Sequence, residues 1–202
     1  MSYIVGLTGG IGSGKSAAGQ VFEELGIALV DTDAIAHALT GPGGAAMVPI
    51  LAAFGADYLT PEGALDRARM RALVFADTAK KHKLESILHP MIRAQTNEFL
   101  QAARSPYVML MVPLLVESQD YRQRCQRILV VDCAEEQQIE RVKARSGLAA
   151  EQVRAIMANQ VSREARLAAA DDVIDNSRDL AHLRRQAAAL HARYLQLAAA
   201  AG

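Results

Sequence analysis

A glycine-rich loop near the start of the chain restricts its possible folds more than any other feature. Residues 9–16 read G-G-I-G-S-G-K-S and match the pattern G-x-x-x-x-G-K-[ST], which wraps nucleotide phosphates. Before the loop, Tyr3–Thr8 is apolar enough for a buried strand, and after it residues 16–25 have the spacing of an amphipathic helix. This context favours phosphate binding over the alternative, a flexible glycine turn with an exposed lysine.

The residue types in the loop fit that chemistry. Glycines let backbone N–H groups turn toward an anion with no Cβ in the way, and the following helix adds its positive end. We expect Lys15 to reach the β- and γ-phosphates of a nucleotide, and the Ser16 hydroxyl to bind Mg²⁺.

Strands and helices alternate in the rest of the chain, which predicts an α/β fold with a parallel sheet. Further strands are predicted at residues 27–30, 107–112, 127–131 and 172–174. Residues 65–104 contain only helical patterns, the third of which begins at Pro90, and indicate a helical insertion. We therefore expect the three-layer fold of P-loop nucleoside triphosphatases.

The charge balance limits the kinds of partner. The chain has 22 basic and 22 acidic residues, which argues against binding nucleic acid or a membrane surface through bulk charge. Cys125 and Cys133 form no C-x-x-C pair, and Cys133 is expected to be a buried structural thiol. With neither a signal-peptide pattern nor a membrane-spanning run in the sequence, we expect a cytoplasmic monomer.

Asp33 is the candidate catalytic base. Phosphoryl transfer to an alcohol needs a group that accepts the hydroxyl proton, and a carboxylate just after the second strand can do so. The alternative is that Asp33 only caps the helix that follows. Asp31 is a weaker candidate, which could support the turn or an outer-shell water of Mg²⁺.

Two further charged segments have open interpretations. Arg141 and Arg145 lie one helical turn apart and could belong to a flap over the nucleotide, or to a solvated helix face. After the strand at 107–112 the first acid is Glu117, so this segment lacks a clear acidic magnesium ligand.

Several motifs together resemble the dephospho-CoA kinases along nearly the whole chain. They are I-V-G-L-T-G-G-I-G-S-G-K-S at 4–16, D-T-D at 31–33, H-P-M-I-R at 89–93, V-P-L-L-V-E at 112–117, the segment 138–145, N-Q at 159–160 and A-D-D-V-I-D-N at 170–176. The phosphate loop alone marks only a superfamily, whereas the H-P-M-I-R and V-P-L-L segments are far more specific.

The resemblance implies a molecule of three parts and a reaction. A nucleotide-binding core would comprise residues 1–60 and 105–202 and contain a lid near 138–150, and residues 61–104 would form the helical acceptor-binding insertion. The implied reaction moves the γ-phosphate of ATP, with Mg²⁺, to the ribose 3′-hydroxyl of dephospho-CoA, the last step of coenzyme A synthesis.

The resemblance also implies a role for individual residues. The implied ATP-binding residues are Gly12, Ser13, Gly14, Lys15, Ser16, Ala17 and Asn176. The implied catalytic residues are Lys15, Asp33 as base and Arg141 in the lid. Those on the acceptor side are Asp33, His89, Arg93, Pro113 and Leu114. Departures from the family pattern are Ala17, often a hydroxyl residue, and Arg178, often a glycine.

Two other functions stay open. A kinase for another small molecule, such as a nucleoside or nucleotide, would use the same fold with a different acceptor in the insertion. A nucleotide-dependent switch protein is the second alternative, although the sequence lacks the N-K-x-D segment that reads guanine in GTPases.

Overall fold

A computed structural model describes residues 2–202, which form two compact units. The first unit comprises residues 2–31 and Ala102–Gly202, and the second is Thr32–Gln101. The strands, in chain order, are β1 (Tyr3–Thr8), β2 (Ala28–Asp31), β3 (Tyr107–Met111), β4 (Arg127–Asp132) and β5 (Asp172–Asp175). The helices are α1 (Lys15–Glu24), α2 (Thr32–Leu39), α3 (Met47–Phe54), α4 (Arg67–Ala76), α5 (Thr78–Ala102), α6 (Gln119–Arg122), α7 (Glu135–Ser146), α8 (Ala150–Met157), α9 (Arg163–Ala168) and α10 (Leu180–Ala201).

The first unit is built on a five-stranded sheet in the order β2-β3-β1-β4-β5. Every neighbouring pair of strands is parallel, which confirms the predicted parallel sheet. β3 is buried along its whole length, because a parallel sheet covered on both faces needs apolar residues in succession. Helices α1 and α10 pack on each other and on the strands around Phe22, Met109 and Leu129. The glycine loop follows β1, a central strand, at its carboxyl end.

A buried carboxylate ties the start of β5 to its neighbours. Asp172 accepts hydrogen bonds from Arg127 Nε at 2.8 Å, Arg193 Nη1 at 2.6 Å and the Tyr194 hydroxyl at 3.0 Å. The hydrogen bond to Asp172 is also the largest cause of the raised pKa of Arg127. Three donors therefore compensate the burial of this charge.

The second unit contains α2, α3, α4 and most of α5. Thr40, just after α2, joins the start of this unit to the segment around α4. The Thr40 carbonyl accepts from the Leu65 backbone N–H at 2.9 Å, and the Thr40 hydroxyl accepts from Arg67 Nη2 at 2.7 Å. The insertion expected from the sequence, residues 61–104, covers only part of this unit, which begins at Thr32. These bonds join segments distant in sequence, so local patterns do not reveal them.

The expectation that a new helix begins at Pro90 is wrong. α5 runs without interruption from Thr78 to Ala102, with Pro90 in its interior. A proline removes only one backbone N–H donor from the helix. Strong helix formers on both sides of Pro90, such as Leu84 and Gln95, favour continuation of the helix through it. No helix within residues 2–202 is both long and apolar enough to span a bilayer.

Candidate active site

The glycine loop has a fixed turn between β1 and α1. The Ser13 N–H donates to the Gly10 carbonyl at 3.0 Å, and Gly12 and Gly14 have left-handed φ angles of 77° and 94°. Gly14 directly precedes the first residue of α1, Lys15. The predicted strand, loop and helix are therefore all present, with the helix N-terminus at the end of the loop.

Neighbouring atoms leave no room for a side chain at these two glycines. A Cβ at Gly12 would lie 2.5 Å from the Gln138 carbonyl oxygen, and a Cβ at Gly14 would collide with Nδ2 of Asn176. Larger residues would have to displace the groups that hold the loop in shape.

Asn176 is one of those groups. It follows β5, is buried, and donates from Nδ2 to the Ser13 carbonyl at 2.7 Å. Its own N–H donates to the Asp132 carbonyl at 2.8 Å, which fixes it to the end of β4. The structure thus places this predicted ATP-binding residue against the loop, while contact with adenine stays a prediction.

Arg141 also reaches the loop, from α7. Its Nη2 donates to the Asn176 carbonyl at 2.8 Å, and its Nη1 lies 3.4 Å from the Ser13 carbonyl and 3.4 Å from Cys133 Sγ. Arg145, one turn later, is exposed and contacts Ser146 instead. The two arginines differ, so only Arg145 fits the solvated-face interpretation.

Cys133 is buried beside Arg141, as expected of a structural thiol. Burial raises the pKa of its thiol, and the nearby Arg141 guanidinium opposes this rise. A neutral thiol therefore faces the arginine.

The predicted lid, near residues 138–150, covers most of α7 and ends where α8 begins. Ile139, Val142 and Val153 make a small buried cluster between them, and Ile11 of the loop packs on that cluster. The Ile11 N–H donates to Gln160 Oε1, beyond α8, at 3.2 Å. The loop therefore contacts both the cluster and the segment after it.

Helix α9 carries two arginines that received no role from the sequence. Arg163 forms a two-pronged pair with Asp132, with Nε–Oδ1 at 3.0 Å and Nη2–Oδ2 at 2.6 Å. Arg166 is buried on the same helix. The only sequence signal for this group was N-Q at 159–160 within the family resemblance.

The segment after β3 lies beside β1 and the α8–α9 connection. The Pro113 carbonyl accepts from the Thr8 hydroxyl at 3.2 Å, and Leu114 is exposed. Glu117 Oε1 accepts from the Val161 N–H at 2.9 Å. The carboxylate of Glu117 thus has a structural partner, the backbone of the α8–α9 connection.

In the second unit, Asp33 lies in the first turn of α2 and is part of a charged group. Arg67 donates to Thr40 and its Nη1 lies 2.8 Å from His37 Nε2. Burial, and next the Arg71 charge, lower the pKa of Arg67, whereas Asp33 opposes that lowering. Asp33 therefore interacts with a cation that the sequence did not indicate.

His89 and Arg93, the predicted acceptor-side residues of the insertion, lie one turn apart on α5. Both are exposed, so both are accessible to a ligand. Lys80, on the same helix, is exposed as well.

Gly14→Ala is expected to weaken ATP binding at least tenfold, or by about 1.4 kcal/mol. A non-glycine residue in the left-handed region costs about 1–2 kcal/mol, and the new Cβ would push Asn176 off the Ser13 carbonyl. Calorimetric titration with ATP measures the change.

Gly26→Ala is the matched control. Gly26 has a φ of 84°, and no heavy atom among residues 2–202 lies within 4 Å of its Cβ position. This variant should lose stability through the same backbone cost and keep its ATP affinity. Equal ATP affinities in the two variants would contradict the importance of the loop shape.

The chain is similar to known enzymes over nearly its whole length. A family model described as Dephospho-CoA kinase matches residues 3–182. The dephospho-CoA kinase of Aromatoleum aromaticum is 60% identical over 200 residues, which cover 99% of this chain and 98% of the relative.

Solved structures agree. The dephospho-CoA kinase from Campylobacter jejuni superposes with a TM-score of 0.70 at 26% identity, covering 97% of this chain and 98% of the other. A shikimate kinase from Acinetobacter baumannii has a TM-score of 0.54 at 16% identity over 97% and 94% of the two chains, which shows the shared fold alone. Asn176 and Arg141 hold the glycine loop, and the family model and the relatives match nearly the whole chain. The chain therefore belongs to the dephospho-CoA kinase family.

Proposed function

We propose that the chain transfers the γ-phosphoryl group of ATP to the ribose 3′-hydroxyl of dephospho-CoA, giving coenzyme A and ADP. The observation that carries this proposal is the phosphate loop of the first unit, in a chain that matches the family model over residues 3–182. Activity as another small-molecule kinase or as a switch has no comparable support.

ATP would bind along the loop and the start of α1. The backbone N–H groups of the loop and the positive helix end suit the phosphates, and Lys15 follows Gly14 as the first helical residue. Arg141 adds a second cation at the Ser13 carbonyl. Together these groups would offset the charge that the phosphates carry into the site.

The donors present fit a Mg²⁺ ion that arrives with ATP. Ser16 is exposed in the first turn of α1, and no group of three or more His, Cys, Asp or Glu side chains within residues 2–202 forms a metal site. Mg²⁺ commonly keeps several waters and binds substrate phosphates with few protein ligands. Ser16 would hold the ion, which would supply charge neutralisation at the phosphates.

Asp33 would act as the base. As the 3′-oxygen bonds to the γ-phosphorus and the bond to the β–γ bridging oxygen breaks, the hydroxyl proton would pass to the Asp33 carboxylate. The support is its place two residues after β2, whose carboxyl end lies at the same sheet edge as the loop. Asp33 also interacts with the charge of Arg67, on the N-terminal turn of α4.

An acceptor panel tests the proposed function. ADP release is measured with ATP and Mg²⁺ in the presence of dephospho-CoA, shikimate or a nucleoside, and the phosphorylated product is identified by mass. Turnover should occur with dephospho-CoA and be absent with coenzyme A, which is the matched control because its 3′-hydroxyl is already phosphorylated. Turnover with the nucleoside alone would instead support a nucleoside kinase, and slow hydrolysis without any acceptor would support a switch.

Arg93→Ala is expected to raise KM for dephospho-CoA about tenfold to a hundredfold, because hydrogen bonds to charged groups contribute about 1.5–3 kcal/mol. KM for ATP should change little, since Arg93 is assigned to the acceptor. Lys80→Ala, another exposed cation on α5, should leave both constants unchanged. Steady-state kinetics with each substrate varied in turn gives the answer, and an equal rise in both KM values for Arg93→Ala would contradict the assignment.

A further inference from the structure

A buried guanidinium without an acidic partner lies beside Gly10 of the glycine loop. Arg166 of α9 is 7% exposed, and its Nη2 donates to the Val161 carbonyl at 2.9 Å. Arg163, one turn earlier, is paired with Asp132, whereas no carboxylate within the described residues 2–202 forms an ion pair with Arg166. An arginine stays charged, and a buried charge without a partner is costly, so this position suits an anion that binds there.

The other end of the guanidinium faces the first half of the loop. A Cβ at Gly10 would lie 3.0 Å from Arg166 Nη1 and 2.6 Å from Gln138 Oε1. Only a glycine at this position lets the arginine come so close to the loop backbone. The charge therefore lies at Gly10, while Asn176 and Arg141 hold the loop at Ser13.

A small cavity of about 40 Å³ adjoins Arg166 and is lined mainly by polar side chains, among them Gln138, Gln160 and Ser162. A water needs roughly 10–15 Å³ of such space, so the cavity has room for the oxygens of one phosphoryl group but not for a nucleotide. Glu135, the one acid among its lining residues, is exposed. The cavity therefore suits a single small oxyanion beside a fixed positive charge.

The loop offers a second donor at the same place. The Ile11 N–H donates to the Oε1 atom of Gln160, which also lines the cavity. A neutral carboxamide is a weaker acceptor than a phosphoryl oxygen, because charged hydrogen bonds are roughly twice as strong. An oxyanion in the cavity could take over this N–H from Gln160.

We propose that Arg166 is a catalytic residue that binds the terminal phosphoryl group of ATP, with the Ile11 N–H released by Gln160 as its companion donor. The inference rests on the proposed function, in which the loop backbone cradles the inner phosphates and Lys15 reaches the β- and γ-phosphates. Arg166 would then be a second cation at the γ-phosphoryl group, on the Gly10 side of the loop. During transfer Arg166 keeps all its protons and donates to the equatorial oxygens as the bond to ADP breaks and the bond to the 3′-oxygen forms.

Comparing ATP with ADP tests this role. Arg166→Met and Arg166→Lys are titrated calorimetrically with ADP and with a β,γ-imido analogue of ATP, and kcat is measured with dephospho-CoA. Arg166→Met should raise Kd for the analogue at least tenfold, leave Kd for ADP within twofold, and lower kcat about a hundredfold. Arg166→Lys should recover part of kcat, because it keeps the charge.

Matched variants separate recognition of the γ-phosphoryl group from support of the loop. Arg154→Met removes an exposed cation of α8 that pairs with Glu151, and it should keep the wild-type preference for the analogue over ADP. If Arg166→Met weakens both nucleotides equally, or neither, the proposal is overturned and Arg166 only braces the loop.

Two further measurements cover the cases in which Arg166→Met does not fold or the wild-type protein is inactive. If Arg166→Met does not fold, Arg166→Lys decides alone: its preference for the analogue should fall at least threefold, and an unchanged preference overturns the proposal. Failure of the wild-type protein to turn over dephospho-CoA would refute the proposed function instead, so the two failures are distinguishable.

Discussion

Asp33→Asn is expected to lower kcat by about 10²–10⁴, the usual range for loss of a positioned general base. Asparagine has nearly the same shape as aspartate but cannot take up the proton of the 3′-hydroxyl. KM for ATP should change little, because the loop, Lys15 and Arg141 stay as they are. Steady-state kinetics with ATP and dephospho-CoA, combined with a titration of ATP binding, measures both quantities.

Asp31→Asn is the matched control, since Asp31 ends β2 only two residues earlier. It removes the same charge from nearly the same place and should have a much smaller effect on kcat. A large loss in Asp31→Asn with normal turnover in Asp33→Asn would move the base role to Asp31. Normal turnover in both variants would show that neither carboxylate acts as the base.

Asp172→Ala is expected to destabilise the first unit by about 3–5 kcal/mol. The Asp172 side chain is only 4% exposed, and its loss leaves Arg127 and the Tyr194 hydroxyl without their buried acceptor. Since a domain is stable by only about 5–15 kcal/mol, this change removes a large part of the total. Urea unfolding followed by circular dichroism measures it.

Glu24→Ala is the control for this variant. Glu24 pairs with Arg184 at 2.7 Å, but the two side chains are 42% and 50% exposed. An exposed pair contributes about 0–1 kcal/mol, because water and salt screen it. Similar losses of stability in the two variants would show that burial of Asp172 does not set its contribution.

The sheet and the loop could be predicted because their signals are local. An apolar run such as Tyr107–Met111 is typical of a strand buried on both faces, and β3 lies where the pattern placed it. The glycine pattern and its flanks likewise indicated the strand, turn and helix around residues 9–16. Each of these elements depends mainly on the residue types within it.

The differences from the sequence-based expectations have two causes, one local and one that involves distant segments. Pro90 suggests a helix start by itself, but the helix formers around it determine the outcome in α5. The extent of the second unit follows from bonds such as that between Thr40 and Arg67, which no local pattern encodes.

In the candidate site, too, local patterns predict the loop but do not predict which distant side chains contact it. Arg141 and Arg145 are equivalent in sequence spacing, yet only Arg141 meets the loop, because the fold brings the Ser13 and Asn176 carbonyls to it. Arg166 looks like one more surface cation of a helix, and only its burial at Gly10 distinguishes it. The sequence therefore predicts the shape of the loop backbone better than the side chains that pack against it.

The second unit begins and ends within a single connection of the sheet. Its residues, Thr32–Gln101, lie between β2 and β3, which pair side by side with Asp31 opposite Met111. It is thus a crossover connection between two parallel strands that is enlarged to the size of a domain. Under the proposed function, replacement of this one connection by another would change the acceptor that the enzyme phosphorylates. The strands and the glycine loop of the first unit would stay the same.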